Sequence, residues 1–149
     1  MTEVMVEDQE QELLLVTFCL GEAWYGLDTL RIQEVILVGE TTVVHHAPGY
    51  VRGIINLRGK IVTVLDLGEK LGLERGEVSP ESRILIVPWA GEQVGLLVES
   101  VSEVVGLKRE AIETIPLNVG TGLSQFLLGV FHSQDQLVGI LDLEAVFAE

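Results

Sequence analysis

At 149 residues the chain has room for one compact unit or two very small ones. Apolar residues make up 48% of it and charged residues 21%, a balance that supplies a core and excludes global disorder. The formal charge of −14 argues against nucleic-acid backbones and anionic membranes as partners, because binding either calls for a basic surface.

The chain opens on an acidic stretch, 1–12, with Glu3, Glu7, Asp8, Glu10 and Glu12 and no base. A secretory signal opens on basic residues, so this stretch predicts a solvated, disordered tail instead. No later apolar run approaches the roughly 18 residues of a membrane helix, and a cytoplasmic protein without membrane insertion is expected. Residues 14–20 are rich in strand-forming side chains and end on Gly21-Glu22, as a hairpin strand ends on its turn. Cys19 lies in this run and reads as a buried structural thiol rather than a nucleophile. Segment 41–65 holds no acid but carries His45, His46, Arg52, Arg58 and Lys60. A locally positive face follows, either a partner site or plain solvated surface.

Runs 54–58 and 61–65 flank Gly59-Lys60, and glycine at the first central position suits a type II′ hairpin turn. Asp66 then precedes a short apolar-periodic segment, 67–73, where its carboxylate can accept from the free amides of a first helical turn. Gly72, Gly76, Ser79, Pro80 and Ser82 mark 72–82 as a connector. After it comes a second strand pattern, 83–89, with its own Gly91-Glu92 turn. From Thr114 to Gln134 there is no charged residue, as expected of a packed or partner-covered segment. Gln134-Asp135 then stands where a hairpin loop is needed, and Asp142 heads the segment 143–147 as Asp66 heads 67–73.

These likenesses form a duplication. Gly53, Val62, Leu65 and Asp66 reappear about 76 positions on as Gly129, Val138, Leu141 and Asp142, without a gap. Upstream, Gly21-Glu22, Gly26-Leu27 and Glu34-Val35 match Gly91-Glu92, Gly95-Leu96 and Glu103-Val104 at an offset of about 69, with one residue of slack at the turn. The repeated aspartates are therefore helix caps before they are catalysts. Strands this short leave open edges unless each set of about five closes on itself. The expected fold is all-β with short helices: two pseudo-symmetric five-stranded barrels packed together, the first over about 13–75 and the second over about 82–149.

Catalytic chemistry is hard to find. The sequence holds no Gly-rich phosphate loop, nucleophile elbow or Cys/His metal spacing. His45-His46 would point to opposite faces of a strand, and His132 reads as a strand-end residue. No nucleophile–base pair appears, so neither enzymatic activity, a metal nor a cofactor is expected, and binding is the default.

The stretch Gly53-Ile54-Ile55-Asn56-Leu57-Arg58-Gly59-Lys60-Ile61-Val62-Thr63-Val64-Leu65-Asp66-Leu67 resembles the signature of the CheW family of chemotaxis coupling proteins. Tyr25-Gly26-Leu27, Ile32-Gln33-Glu34-Val35-Ile36, Ala47-Pro48-Gly49-Tyr50-Val51, Val94-Gly95-Leu96-Leu97-Val98 and Val101-Ser102-Glu103-Val104 extend the resemblance over nearly all of 13–147. Thr63 stands where the family usually has proline, and the family often has a proline near His45-His46. The resemblance implies two SH3-like barrels and no catalysis. As partners it implies the regulatory domain of a CheA-type histidine kinase and the cytoplasmic tip of a methyl-accepting chemoreceptor. It assigns Ile32, Glu34, Gly53, Arg58 and Val94 to the receptor surface, and Val43 and Val44 to a kinase-facing edge. Glu34 and Arg58 are expected to form a forked ion pair that sets the angle between the barrels; Arg58 as a mere hairpin cap is the competing reading. For Ile32, core burial competes with receptor contact. A monomer in isolation is expected, and a pilus-twitching or phototaxis array, a small ligand sensor or a fragment of a larger kinase are the alternatives.

Overall fold

The computed structural model describes residues 12–74 and 77–148. Most of the acidic stretch, 1–11, lies outside them, while Glu12 already belongs to the first strand. The strands are β1 (Glu12–Leu20), β2 (Ala23–Asp28), β3 (Glu34–Leu37), β4 (Val51–Leu57), β5 (Lys60–Asp66), β6 (Arg83–Trp89), β7 (Glu92–Val98), β8 (Ser100–Lys108), β9 (Leu127–Ser133) and β10 (Gln136–Leu141). Three short helices, α1 (Leu67–Lys70), α2 (Thr121–Ser124) and α3 (Leu143–Phe147), complete the regular structure together with single 3-10 turns. Asp66 caps α1, accepting from the Glu69 amide at 3.1 Å, and Asp142 caps α3, accepting from the Ala145 amide at 3.4 Å.

The strands form two five-stranded sheets, ordered β8-β1-β2-β10-β9 and β3-β6-β7-β5-β4. Replacing each strand of one by its repeat partner gives the other, so the two SH3-like barrels are pseudo-symmetric. Their membership, however, is crossed. The β1–β2 hairpin of the first sequence copy joins β8, β9 and β10 of the second, and the β6–β7 hairpin joins β3, β4 and β5. The boundary between 13–75 and 82–149 thus separates the sequence copies and not the barrels. The crossing is made by two parallel pairs, Ile140 opposite Gly26 and Val64 opposite Gly95, which occupy the same register in the two sheets. Local hairpin signals predict the antiparallel neighbours; which hairpin goes to which barrel is settled by these distant pairings.

Each sheet closes by the same device. After β3 the chain crosses to β4, where Thr42 and Ile54 exchange backbone hydrogen bonds of 2.9 and 2.8 Å; after β8 it crosses to β9, where Glu113 and Val130 do so at 2.7 and 3.0 Å. Gly53 and Gly129 sit beside these crossings. A Cβ on Gly53, whose φ is +150°, would run into the Thr42 carbonyl, and one on Gly129 would lie 2.6 Å from Ile112 Cγ2. The repeated glycine is therefore explained by close backbone approach.

The β4–β5 turn differs from the expected one. Leu57 pairs with Lys60, so the two loop residues are Arg58 and Gly59, both at positive φ (52° and 85°), as a type I′ turn requires. Gln134 and Asp135 form the equivalent loop at 49° and 64°.

Three apolar clusters result. Ile55, Val62, Val64, Ile84, Ile86 and Leu97 fill one barrel, and Leu15, Leu107, Phe131, Val138 and Ile140 fill the other. The largest lies between them, where Phe18, Tyr25 and Leu27 meet Leu85, Val87 and Leu96, with Leu67, Leu143 and Val146 from the helices. Strand β6 shows why the runs lack polar alternation: Ile84 and Ile86 point into the barrel while Leu85 and Val87 point into the seam. The uncharged segment before β9 is packed in part: Ile115, Val119, Leu123 and Phe126 lie against the seam, while Leu117 is fully exposed.

A polar clasp ties the seam at its rim. Arg31, on the 3-10 turn Thr29–Arg31 that follows β2, forks onto Glu144 of α3 at 3.3 and 2.8 Å. Its guanidinium also lies 5.9 Å from the centre of the Trp89 ring, and Trp89 packs on Phe147 with ring centres 4.6 Å apart. Hydrogen bonding to Arg31 holds the Glu144 carboxyl below its ordinary range.

Two outcomes follow. Gly53→Ala should destabilise by about 2 kcal/mol or more, through both φ and collision, whereas Gly59→Ala, with open space around it, should lose only about 1 kcal/mol; chemical denaturation reads both. Because the Glu144 carboxyl is lowered on folding, its contribution is present at neutral pH and lost as pH falls through the lowered value. The thermal midpoint of the wild type should exceed that of Glu144→Gln at pH 7, and the gap should narrow as pH falls through the lowered value.

Candidate functional site

The residues assigned to partners fall on three distinct places. At one end of the β3–β7 barrel, Arg58 projects from its turn and donates two hydrogen bonds to Glu34 at the start of β3, one of them at 3.3 Å from Nη1 to Oε1 and the other from Nη2 to Oε2. The bonds push the guanidinium further above its usual value. Glu34 is on one edge strand and Arg58 follows the other, so the pair closes one barrel end and does not span the two barrels. This corrects the expectation that it sets the angle between them. With the arginine side chain 67% exposed, the pair fixes geometry more than it adds stability.

Ile32 and Val94 come together at the seam. The Gln33 amide donates to the Ile86 carbonyl at 2.7 Å, and the Gln33 and Gln93 side chains are hydrogen-bonded at 2.6 Å. The chain neighbours of that pair, Ile32 and Val94, lie half-buried against the cluster that joins the barrels, as does Trp89. Ile32 is thus neither fully buried nor free: one side packs against the cluster and the other is open. Gly53, by contrast, is buried under Thr42 and offers no surface, which corrects its assignment to the receptor face.

Val43 and Val44 follow the Thr42 bridge in a loop rather than a strand, so they do not alternate; both are exposed, at 67% and 40%. Val43 borders an apolar recess at the barrel mouth with Val38, Val64, Ile84 and Leu97, and Arg52 stands at its edge. His45 and His46 form an exposed turn, with His46 at φ +67°, not a strand. Val35, Leu37 and Ile61 add further exposed apolar surface on the same barrel.

The chemistry of the remaining candidates is that of structure. The Cys19 thiol is half-buried, donates to the Gly21 carbonyl at 3.1 Å, and is pushed up by burial and by the Glu99 carboxylate, away from the reactive thiolate. His132 Nδ1 lies 3.0 Å from Glu113 on an exposed face. Among the described residues no group of three His, Cys, Asp or Glu side chains is placed to hold a metal, and no helix is long and apolar enough to cross a membrane. The Arg31, Trp89, Glu144 and Phe147 cluster went unforeseen; Arg31 and Glu144 are 113 positions apart, and no local pattern marks them.

Comparison with known proteins agrees with this architecture. The model of the CheW-like domain matches residues 14–149. The chain is 32% identical to the chemotaxis protein CheW of Klebsiella aerogenes over 93% of its own length and 82% of the relative's. It is 31% identical to the protein PilI of Pseudomonas aeruginosa, over 80% of its own length and 67% of PilI. Among solved structures, the scaffolding protein TtCheW from Thermoanaerobacter tengcongensis superposes with a TM-score of 0.83 at 35% identity, covering 92% of this chain and 88% of that one. The chain belongs to the CheW-like domain family.

Proposed function

We propose that this chain is a non-catalytic chemotaxis adaptor, working in the cytoplasm, that couples the cytoplasmic tip of a methyl-accepting chemoreceptor to the regulatory domain of a CheA-type histidine kinase. The observation that carries the reading is the half-open apolar rim formed by Ile32, Val94 and Trp89 where the barrels meet. A helical hairpin presents apolar side chains at three- and four-residue spacing, and such a rim offers them a matching wall. Glu34 and Arg58, on the same barrel, add a rigid polar border that orients an incoming helix.

On this reading the kinase face is the loop that carries Val43 and Val44. Their loop is exposed, apolar and set beside Arg52, away from the acidic excess of the rest of the chain. Coupling of this kind works by geometry: the adaptor holds two partners in fixed relation, and no turnover is required. The likeness to PilI favours a second pathway, a pilus-driven array, in which the same two faces would serve. Deleting the gene and scoring swimming against surface twitching separates the two.

Co-sedimentation with the receptor tip and with the kinase regulatory domain tests the assignment. Ile32→Lys should weaken receptor binding about tenfold or more while the thermal midpoint stays nearly unchanged; loss of folding would return Ile32 to the core. Arg58→Ala should weaken the same contact yet leave the thermal midpoint nearly unchanged, because the pair is exposed. Val43→Asp should weaken only kinase binding, and equal loss of both partners would sink the two-face reading.

A further inference from the structure

The duplication supplies an internal standard, because each barrel end can be compared with its copy. Val35 opposite Leu85 corresponds to Val104 opposite Val16, and Leu57 opposite Lys60 to Ser133 opposite Gln136. By the same register Glu34, Gln33, Arg58 and Gln93 correspond to Glu103, Ser102, Gln134 and Trp24. In the β3–β7 barrel these positions are filled: Arg58 holds Glu34, and Gln33 holds Gln93. In the other barrel neither bond forms, and a cleft opens there, lined by Trp24, Ser102, Glu103, Gln134 and Gln136.

Glu103 is fixed at its backbone. The Thr17 hydroxyl donates to its carbonyl at 2.7 Å and accepts from its amide at 3.2 Å. Its carboxylate has no hydrogen-bond or ion-pair partner among the described residues. Arg58 and Gln134 start from the same left-handed backbone, φ 52° and 49°, so their side chains leave the turn along equivalent paths. The cleft thus includes the place that Arg58 takes up in the sister barrel, where a recess lined by Gln33, Lys60 and Gln93 remains.

We propose that this cleft receives an arginine side chain presented by a partner protein, which occupies the place that Arg58 holds in the other barrel. The lining suits a guanidinium. The Glu103 carboxylate matches its two parallel donors, the Trp24 indole offers a face for stacking, and the Gln134 carboxamide can accept a third hydrogen bond. An ammonium, lacking the planar fork, would use the charge alone. The formal charge of −14 favours a cationic visitor from any direction. This site is separate from the receptor and kinase faces, and its existence does not depend on them.

The test uses the full chain and blocked amino acids as probes, followed by NMR at the Trp24 indole and the Gln134 side-chain amide. N-acetyl-arginine methylamide should shift both signals saturably. The lysine analogue should bind about tenfold more weakly, and the uncharged citrulline analogue should not bind. Glu103→Gln should weaken the arginine probe about tenfold or more. Gln134→Arg should fill the cleft from within, abolishing probe binding and raising the thermal midpoint above that of Gln134→Lys, which makes the same change in charge. Equal responses to arginine and lysine, silence at Trp24 in the wild type, or undiminished probe binding in Gln134→Arg would each overturn the proposal. Should Gln134→Arg fail to fold, the Glu103→Gln titration still decides.

Discussion

Everything in this molecule depends on the exchange of two hairpins. The β1–β2 hairpin is lent to the second copy's strands and the β6–β7 hairpin to the first's, and each is received through one parallel pairing, β2 on β10 and β7 on β5. Neither copy can complete a barrel from its own strands. The seam follows directly, because the exchanged strands have one face in a barrel and the other against the opposite sheet. Two barrels of this size, each with a core of a handful of side chains, would be marginal alone. Interlocked, they share the largest cluster of the three.

The same constraint gives an adaptor its stiffness. Ile32 and Val94 belong to the rim of the seam, so any surface they offer is referred to both barrels at once. The Glu34–Arg58 pair and the Thr42–Ile54 bridge then lock the strand edges of the barrel on which that surface stands. A scaffold whose task is to hold two partners at a set distance gains more from such rigidity than from an extra increment of stability. The Val43 loop is the exception, an exposed segment that leaves the barrel after a single bridge.

Much of this was legible in the sequence, and the limits have physical causes. The repeat was visible because it is written in residues that geometry demands: Gly53 and Gly129 at the crossings, Asp66 and Asp142 at the helix caps. Hairpins were visible because turn chemistry is local, although the β4–β5 loop proved to be Arg58-Gly59, one residue earlier than glycine alone suggested. The crossed membership was hidden, since a parallel pairing between strands far apart in sequence leaves no mark on either. Of the candidate site, the family resemblance brought Glu34 and Arg58 together, but the place of the pair within one barrel needed the sheet order. Arg31 and Glu144 carry no signal at all, and nothing local to Gly53 tells of its burial, whose cause is the backbone of Thr42.

The crossing has a consequence for how the protein is made. A chain leaving the ribosome can finish the β3–β7 barrel once residue 98 has emerged, because its five strands are consecutive. The β1–β2 hairpin, though synthesised first, stays without β8 and β10 until the C-terminal strands appear. That hairpin is thus made before the strands that house it, and until they appear it carries two open edges and an apolar face. What the neighbouring barrel offers it is Leu85, Val87 and Leu96, the side chains that Phe18, Tyr25 and Leu27 meet in the folded protein.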